Sequence, residues 1–293
     1  MGRRCSASAR YPRRASLAEN ADRMSQSAPR FTKLFFEVYE SLPRQGPGSR
    51  ACSARALGLC RDLPRSPVVL DLGCGVGGQT LQLAGFLESA SITAIDAHAP
   101  SIERLRAASA KHGLVARVSA FVGDMDDLRL PHESFDLVWS EGALYNLGLH
   151  RALRVCWDLL RPGGYLAFTD AVWRKEDRPA EVRAGFEVDY PTMGSVGDDL
   201  AAIGESGFEL VGHFTLPDEA WWDDFYAPME ERIRELREAY RGDSEALAVL
   251  DALAEEPAVH RRHGDCYAYE FFVVRRPLSA PRVKDLSCGV AVP

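Results

Sequence analysis

The sequence predicts an α/β protein, a three-layer sandwich built on a mostly parallel sheet, and three observations carry that prediction. Short runs rich in Val, Ile and Phe alternate with stretches of helical periodicity through the middle of the chain. These runs are nearly all apolar, as strands covered on both faces must be. A glycine-rich turn, Gly73-Cys74-Gly75-Val76-Gly77-Gly78, follows the first run and opens the first helix after it.

The strands expected in order are PVVLDL (67–72), SITAID (91–96), RVSAFVG (117–123), FDLVWS (135–140) and GYLAFTD (164–170). Helical stretches are expected at 78–88, 99–113 and 149–161, the last stopped by Pro162-Gly163-Gly164, which cannot continue a helix. Two more strands, FELVGHFTL (208–216) and CYAYEFFVVRR (266–276), enclose a helical insert. Within it Met229, Ile233, Leu236 and Tyr240, then Leu247, Leu250 and Leu253, recur at helical spacing, predicting two amphipathic helices over a sheet edge or over the site. One domain is expected over 31–276, with 31–60 as an N-terminal cap and 217–262 as the insert. Residues 277–293 read as a flexible tail. Residues 1–30, with seven Arg and no apolar periodicity, read as a disordered tail, as an organelle transit peptide, or as an upstream extension with the true start at Met24.

Charge and composition exclude several functions. The net charge of −7 divides into +5 over residues 1–30 and −12 over the rest, so the body lacks the basic footprint that nucleic-acid binding demands. No apolar stretch approaches the roughly 18 residues of a membrane span, and a cytoplasmic protein is expected. The seven Cys are scattered and include no C-x-x-C pair, which predicts reduced thiols and no zinc knuckle. His260, His263 and Cys266 have a spacing that could ligate zinc, but His263 adjoins a turn and Cys266 begins a strand, so no metal is expected.

Gly73, Gly75 and Gly78 have G-x-G-x-x-G spacing between a buried strand and a helix, the context of a nucleotide-cofactor turn. The motif alone does not choose between a dinucleotide and another adenosine-containing cofactor. Carboxylates at three successive strand ends, Asp71, Asp96 and Asp124, are more selective. Asp96 can accept from both ribose hydroxyls of either cofactor. Asp71 would stand where a dinucleotide carries its pyrophosphate, and like charges repel. S-adenosylmethionine (SAM) presents an ammonium and a sulfonium there. Helix capping by each Asp singly is the bland alternative.

With DLGCGVGG, ITAIDAHA, GDMDDLRLPHESFDLVWSEGALYNL and LRPGGYLAFTD in place, the sequence resembles the class I SAM-dependent methyltransferases, in particular the bacterial small-molecule branch similar to the ubiquinone/menaquinone methyltransferases. The resemblance implies a Rossmann-like seven-stranded sheet of order 3-2-1-4-5-7-6 with the last strand antiparallel. It implies that Asp71 and Gly73 hold the methionine end, Asp96 the ribose and Asp124 with the Met125 backbone the adenine, and that Glu141 borders the cofactor; Gly75, Gly78 and Ala97 are expected as further cofactor contacts. The segment LPRQGPGS resembles an N-terminal cap found in some of these enzymes. The acceptor is then a small molecule. Tyr145 and Asn146, after the fourth strand, are the expected acceptor contacts, unless they only cap the following helix. Trp173, Tyr190 and Trp222 are the expected substrate wall. The chain is expected to act as a monomer or a homodimer. A non-catalytic SAM-binding subunit and an NAD(P)-dependent oxidoreductase stay open as rivals.

Overall fold

The computed structural model describes residues 21–187 and 189–278, so the expectations for residues 1–20 and 279–293 lie outside the described residues. Each apolar run forms a strand: β1 (Val68–Leu72), β2 (Ser91–Asp96), β3 (Val118–Val122), β4 (Phe135–Glu141), β5 (Leu160–Trp173), β6 (Glu209–Thr215) and β7 (Tyr267–Arg275). They pair in the order β3-β2-β1-β4-β5-β7-β6. The first five are mutually parallel, and β7 runs antiparallel to both β5 and β6. The Rossmann-like sheet expected from the motifs is therefore present. β5 differs from expectation in starting at Leu160. The Pro-Gly-Gly segment that stops the preceding helix already runs beside the sheet, with the pairing to β4 shifted between Phe135 and Leu137.

The helices α1 (Ala21–Tyr39), α2 (Arg50–Leu59), α3 (Gly78–Phe86), α4 (Ala99–Lys111) and α5 (Leu149–Leu159) come next, and α1 starts inside the segment expected to be tail. Beyond β5 lie α6 (Ala180–Phe186) and α7 (Val196–Glu205), the latter opened by a capping box between Ser195 and Asp198. The insert is a single turn α8 (Glu219–Trp221), a π-turn over Trp222–Tyr226, α9 (Ala227–Ala239) and α10 (Ser244–His263).

Strand periodicity divides the core. Val69, Leu137 and Trp139 face α2 and α3, while Leu70, Leu72 and Val138 face α5 and α7. A third apolar cluster joins α1, the π-turn, α9 and α10 through Leu34, Phe225, Met229 and Leu250. It forms a cap over the end of the sheet where β1, β2 and β4 terminate. Among the described residues no helix is long and apolar enough to cross a membrane.

Candidate active site

The site begins at the glycine turn. Gly73 and Cys74 both donate their N–H groups to the Ile95 carbonyl, at 2.8 and 3.0 Å, tying the end of β1 to that of β2. Gly73 and Gly75 have φ of +77° and +53°. A Cβ at Gly73 would stand 2.3 Å from the Ala143 Cβ, and one at Gly75 would stand 2.2 Å from Gln45 Oε1. Conformation therefore favours glycine at both, and space demands it at Gly73, since Gln45 could swing aside from Gly75. Asp96 holds the same turn from the other side: Oδ2 accepts from Gly75 N at 2.9 Å and Oδ1 from His98 N at 2.8 Å.

Over this turn opens a cavity of about 800 Å³. Gly73, Gly75, Asp96, Ala97, Asp124, Met125 and Glu141 line it, so seven of the residues expected at the cofactor meet on one wall. Asp71 and Gly78 do not line it. Asp71 is buried beneath the turn, where it accepts from Thr80 Oγ1 at 2.5 Å; burial, reinforced by Glu141 and Asp96, pushes its carboxyl up to about 7. It orders the turn from below. At Gly78 a Cβ would lie 2.7 Å from the Pro43 carbonyl oxygen, so this glycine is required by the cap that crosses it.

That cap contributes residues the motif analysis did not single out. Arg44 is 1% exposed and pairs with the buried Glu141, which also accepts from Ser53 Oγ at 3.0 Å and from Trp139 Nε1 at 2.8 Å. Gln45 Oε1 accepts from Val76 N at 3.0 Å, covering one N–H of the glycine turn. The available signal was a charged and an amide side chain inside a Pro/Gly stretch between two helices.

The other half of the cavity is aromatic. Tyr145 and Asn146 line it; Asn146 Nδ2 donates back to the Ala143 carbonyl at 2.9 Å, and α5 has no side-chain cap, so neither residue caps the helix that follows. Tyr190 lines it too, its ring 5.5 Å from that of Tyr145 and its hydroxyl donating to Asp170 Oδ2 at 2.7 Å. Burial pushes the Asp170 carboxyl up to about 7. Two expected wall residues stand elsewhere. Trp173, last in β5, is screened by the edge of Phe186 and lies under the Arg178 guanidinium. Trp222 meets Tyr226 edge-to-face and lies under Arg261. The wide π-turn brings Trp221, Phe225 and Tyr226 onto the cavity instead. Tyr39, Tyr267, Tyr269 and Glu256 also line it without having been anticipated. The Tyr-Ala-Tyr alternation at the start of β7 would have put two rings on one face.

His260 is buried against Trp221, with ring centroids 4.2 Å apart, and its nitrogens face Tyr267 Oη at 3.1 Å and Asp218 at 3.3 Å. His263 meets Glu181, so the zinc-like spacing brings no ligand set together. Among the described residues no group of His, Cys, Asp or Glu could hold a metal.

Residues 69–164 match the family model described as a methyltransferase domain. Over 174 residues the chain is 32% identical to the sterol 24-C-methyltransferase of Gibberella zeae, covering 57% of this chain and 45% of that protein. It is 30% identical over 184 residues to the fatty-acid O-methyltransferase of Mycolicibacterium smegmatis, covering 58% and 63%. The chain thus spans about half the length of the sterol relatives it matches. In three dimensions it superposes on a SAM-dependent methyltransferase from Geobacter sulfurreducens solved with S-adenosyl-L-homocysteine (TM-score 0.71, 20% identity, 83% of this chain and 97% of that one). It also superposes on the [4+2]-cyclase SpnF (TM-score 0.66, 18% identity, 92% and 99%). At such identities these likenesses establish the fold.

Proposed function

We propose that this chain is a SAM-dependent methyltransferase acting on a small molecule held in the aromatic half of the cavity. The observation that supports the reading is the convergence of Gly73, Gly75, Asp96 and Asp124 in the lining of one cavity that Tyr145, Tyr190, Phe225 and Tyr226 also line. The residues present suit the cofactor. Asp96, oriented by two backbone N–H groups, would accept from the ribose hydroxyls, and Asp124 with the Met125 backbone would meet the adenine. Gly73 and Gly75 leave the methionine end room beside the backbone, while Asp71 acts indirectly by holding Thr80. Glu141, neutralised by Arg44, borders the cofactor.

SAM when bound supplies a methyl group on a cationic sulfur already activated for displacement. What remains for the protein is to hold the acceptor in line with that methyl and exclude water, and orientation of this kind is worth up to about 7–11 kcal/mol. Tyr145, Asn146 and Tyr190 are the residues we assign to acceptor positioning. Trp173 and Trp222 support the wall from behind. We read the protein as cytoplasmic, working as a monomer or homodimer, and as a small-molecule enzyme akin to the ubiquinone/menaquinone branch.

Because a cyclase shares the fold, the test must follow the cofactor itself. Calorimetry should detect binding of S-adenosylhomocysteine and no binding of NAD(P). Incubation with SAM and a metabolite extract should release S-adenosylhomocysteine. Binding without release under any extract would support a SAM-binding subunit, and NAD(P) binding alone would defeat the assignment.

A further inference from the structure

We propose that the acceptor carries a hydroxyl on an aromatic body, and that Tyr190, held by the buried Asp170, takes the hydrogen bond of that hydroxyl and then its proton. This rests on the methyltransferase reading of the same cavity.

Tyr190 lines the cavity, and its hydroxyl donates to Asp170 Oδ2 at 2.7 Å. Among the described residues Asp170 is the one hydrogen-bond partner of that hydroxyl. A phenol has one proton to donate and lone pairs with which to accept. With the proton committed to Asp170, Tyr190 offers a ligand an acceptor only. The rings of Phe186, Trp221 and Phe225 line the same cavity and suit a flat, apolar body. The acceptor that completes this arrangement brings an O–H of its own, which an ether or an alkene lacks.

The carboxyl behind Tyr190 keeps one oxygen for it. Asp170 is 1% exposed, and its Oδ1 accepts from Ala171 N at 2.9 Å, which leaves Oδ2 to Tyr190. Burial, partly offset by these two hydrogen bonds, pushes the carboxyl up to about 7. Facing the pair are Asp199 of α7, Tyr269 beside Tyr190, and Glu270, which stands opposite Asp170 in the antiparallel register. Glu270 is met by His213 Nδ1 at 2.5 Å and by Thr215 Oγ1 at 2.6 Å, whereas Oδ2 of Asp199 is buried without a hydrogen-bond partner.

When Asp170 is ionised, Tyr190 gives it a proton and accepts from the ligand. When Asp170 is protonated, the proton stands on Oδ2 and is donated to Tyr190, whose own O–H is then released to the ligand. The pair thus turns from acceptor to donor as pH falls. Methyl transfer uses the ionised form: the acceptor oxygen bonds the methyl carbon as the carbon–sulfur bond breaks, its proton passes to Tyr190 Oη, and the Tyr190 proton passes to Asp170 Oδ2. The methyl ether, the thioether and the carboxylic acid are all neutral, and Asp170 returns its proton to water afterwards. Tyr190 is then a catalytic residue and Asp170 a positioning residue acting through it.

The test compares 2-naphthol with 2-methoxynaphthalene, one ring system with and without a hydrogen-bond donor. Both are titrated calorimetrically into the full chain loaded with S-adenosylhomocysteine, at pH 6.0 and 8.0, where neither probe is charged. At pH 8.0 the naphthol should bind about tenfold tighter or more, and at pH 6.0 that ratio should shrink by about threefold or more. Asp170→Asn, whose amide nitrogen would face Tyr190 as the protonated acid does, should hold the ratio at its pH 6.0 value throughout. Tyr190→Phe should bring the two probes to parity at both pH values. S-adenosylhomocysteine affinity is the folding control for each variant. A merely structural Asp170 would weaken both probes together and leave the pH dependence of their ratio in place. Equal binding of the probes at pH 8.0, a naphthol that does not bind, a ratio indifferent to pH, or a pH dependence that survives Asp170→Asn would overturn the proposal. Should neither variant fold, the pH dependence of the ratio on the unmodified chain decides alone. Failure of S-adenosylhomocysteine to bind would instead defeat the underlying methyltransferase reading, and the same titrations on the ligand-free chain separate the two.

Discussion

At the scale of single residues, the carboxylate of Asp96 does two jobs that a substitution will separate. It caps the N–H groups of Gly75 and His98, and in the proposed function it also accepts from a ribose. Asp96→Ala should therefore cost stability, by about 1–3 kcal/mol for the donors left unpaired, and weaken S-adenosylhomocysteine binding at least tenfold. Thermal melts and calorimetry on one preparation check both. A lowered melting temperature with unchanged affinity would remove Asp96 from the cofactor site and leave it a turn residue. Asp71 shows why a strand-end acid is not automatically a ligand: its position was legible in the sequence, but its burial under Thr80 depends on how α3 packs back on β1.

At the scale of elements, the segment between α1 and α2 is latched to the sheet by one buried ion pair, Arg44 with Glu141 of β4. Nε and Nη1 of Arg44 are buried without hydrogen-bond partners, so the pair carries an unrepaid desolvation cost. Removing one partner leaves a buried charge alone. Arg44→Met should destabilise the fold by about 3–5 kcal/mol, while Arg44→Met with Glu141→Gln should recover most of that loss. Denaturant melts of the two singles and the double would show it, and additive losses would mean the two side chains do not depend on each other. The insert carries a similar lesson. Its two helices were legible from apolar spacing, but the π-turn that precedes them decides that Trp221 rather than Trp222 faces the cavity.

For the whole molecule, three buried carboxyls set the pH response. Burial raises Asp71 and Asp170 to about 7 and Asp199, which also faces Asp170, Asp198 and Glu270, to about 8, against 3.8 for an ordinary Asp. Between those limits the folded chain holds protons that the unfolded chain has lost, so stability falls as pH rises. Burial lowers His98 and His260 instead, and their opposite effect is spent below their ordinary 6.5. The ligand-free melting temperature should thus drop from pH 6.5 to 8.5, by about 4 °C or more, and Asp199→Asn should flatten the upper part of the curve. A melting temperature that rises over that interval would contradict the burial of these groups.

By itself the sequence determined the sheet, its glycine turn and the acids at the strand ends, because strand and helix periods and the backbone needs of glycine are written locally. Tertiary structure alone decided the aromatic lining of the cavity, where Tyr39 meets Glu256 across 217 positions of chain. Arg44 meets Glu141 in the same way, across 97. Such contacts arise from how helices settle on the sheet and on one another, and packing geometry of that kind leaves no period in the sequence to read.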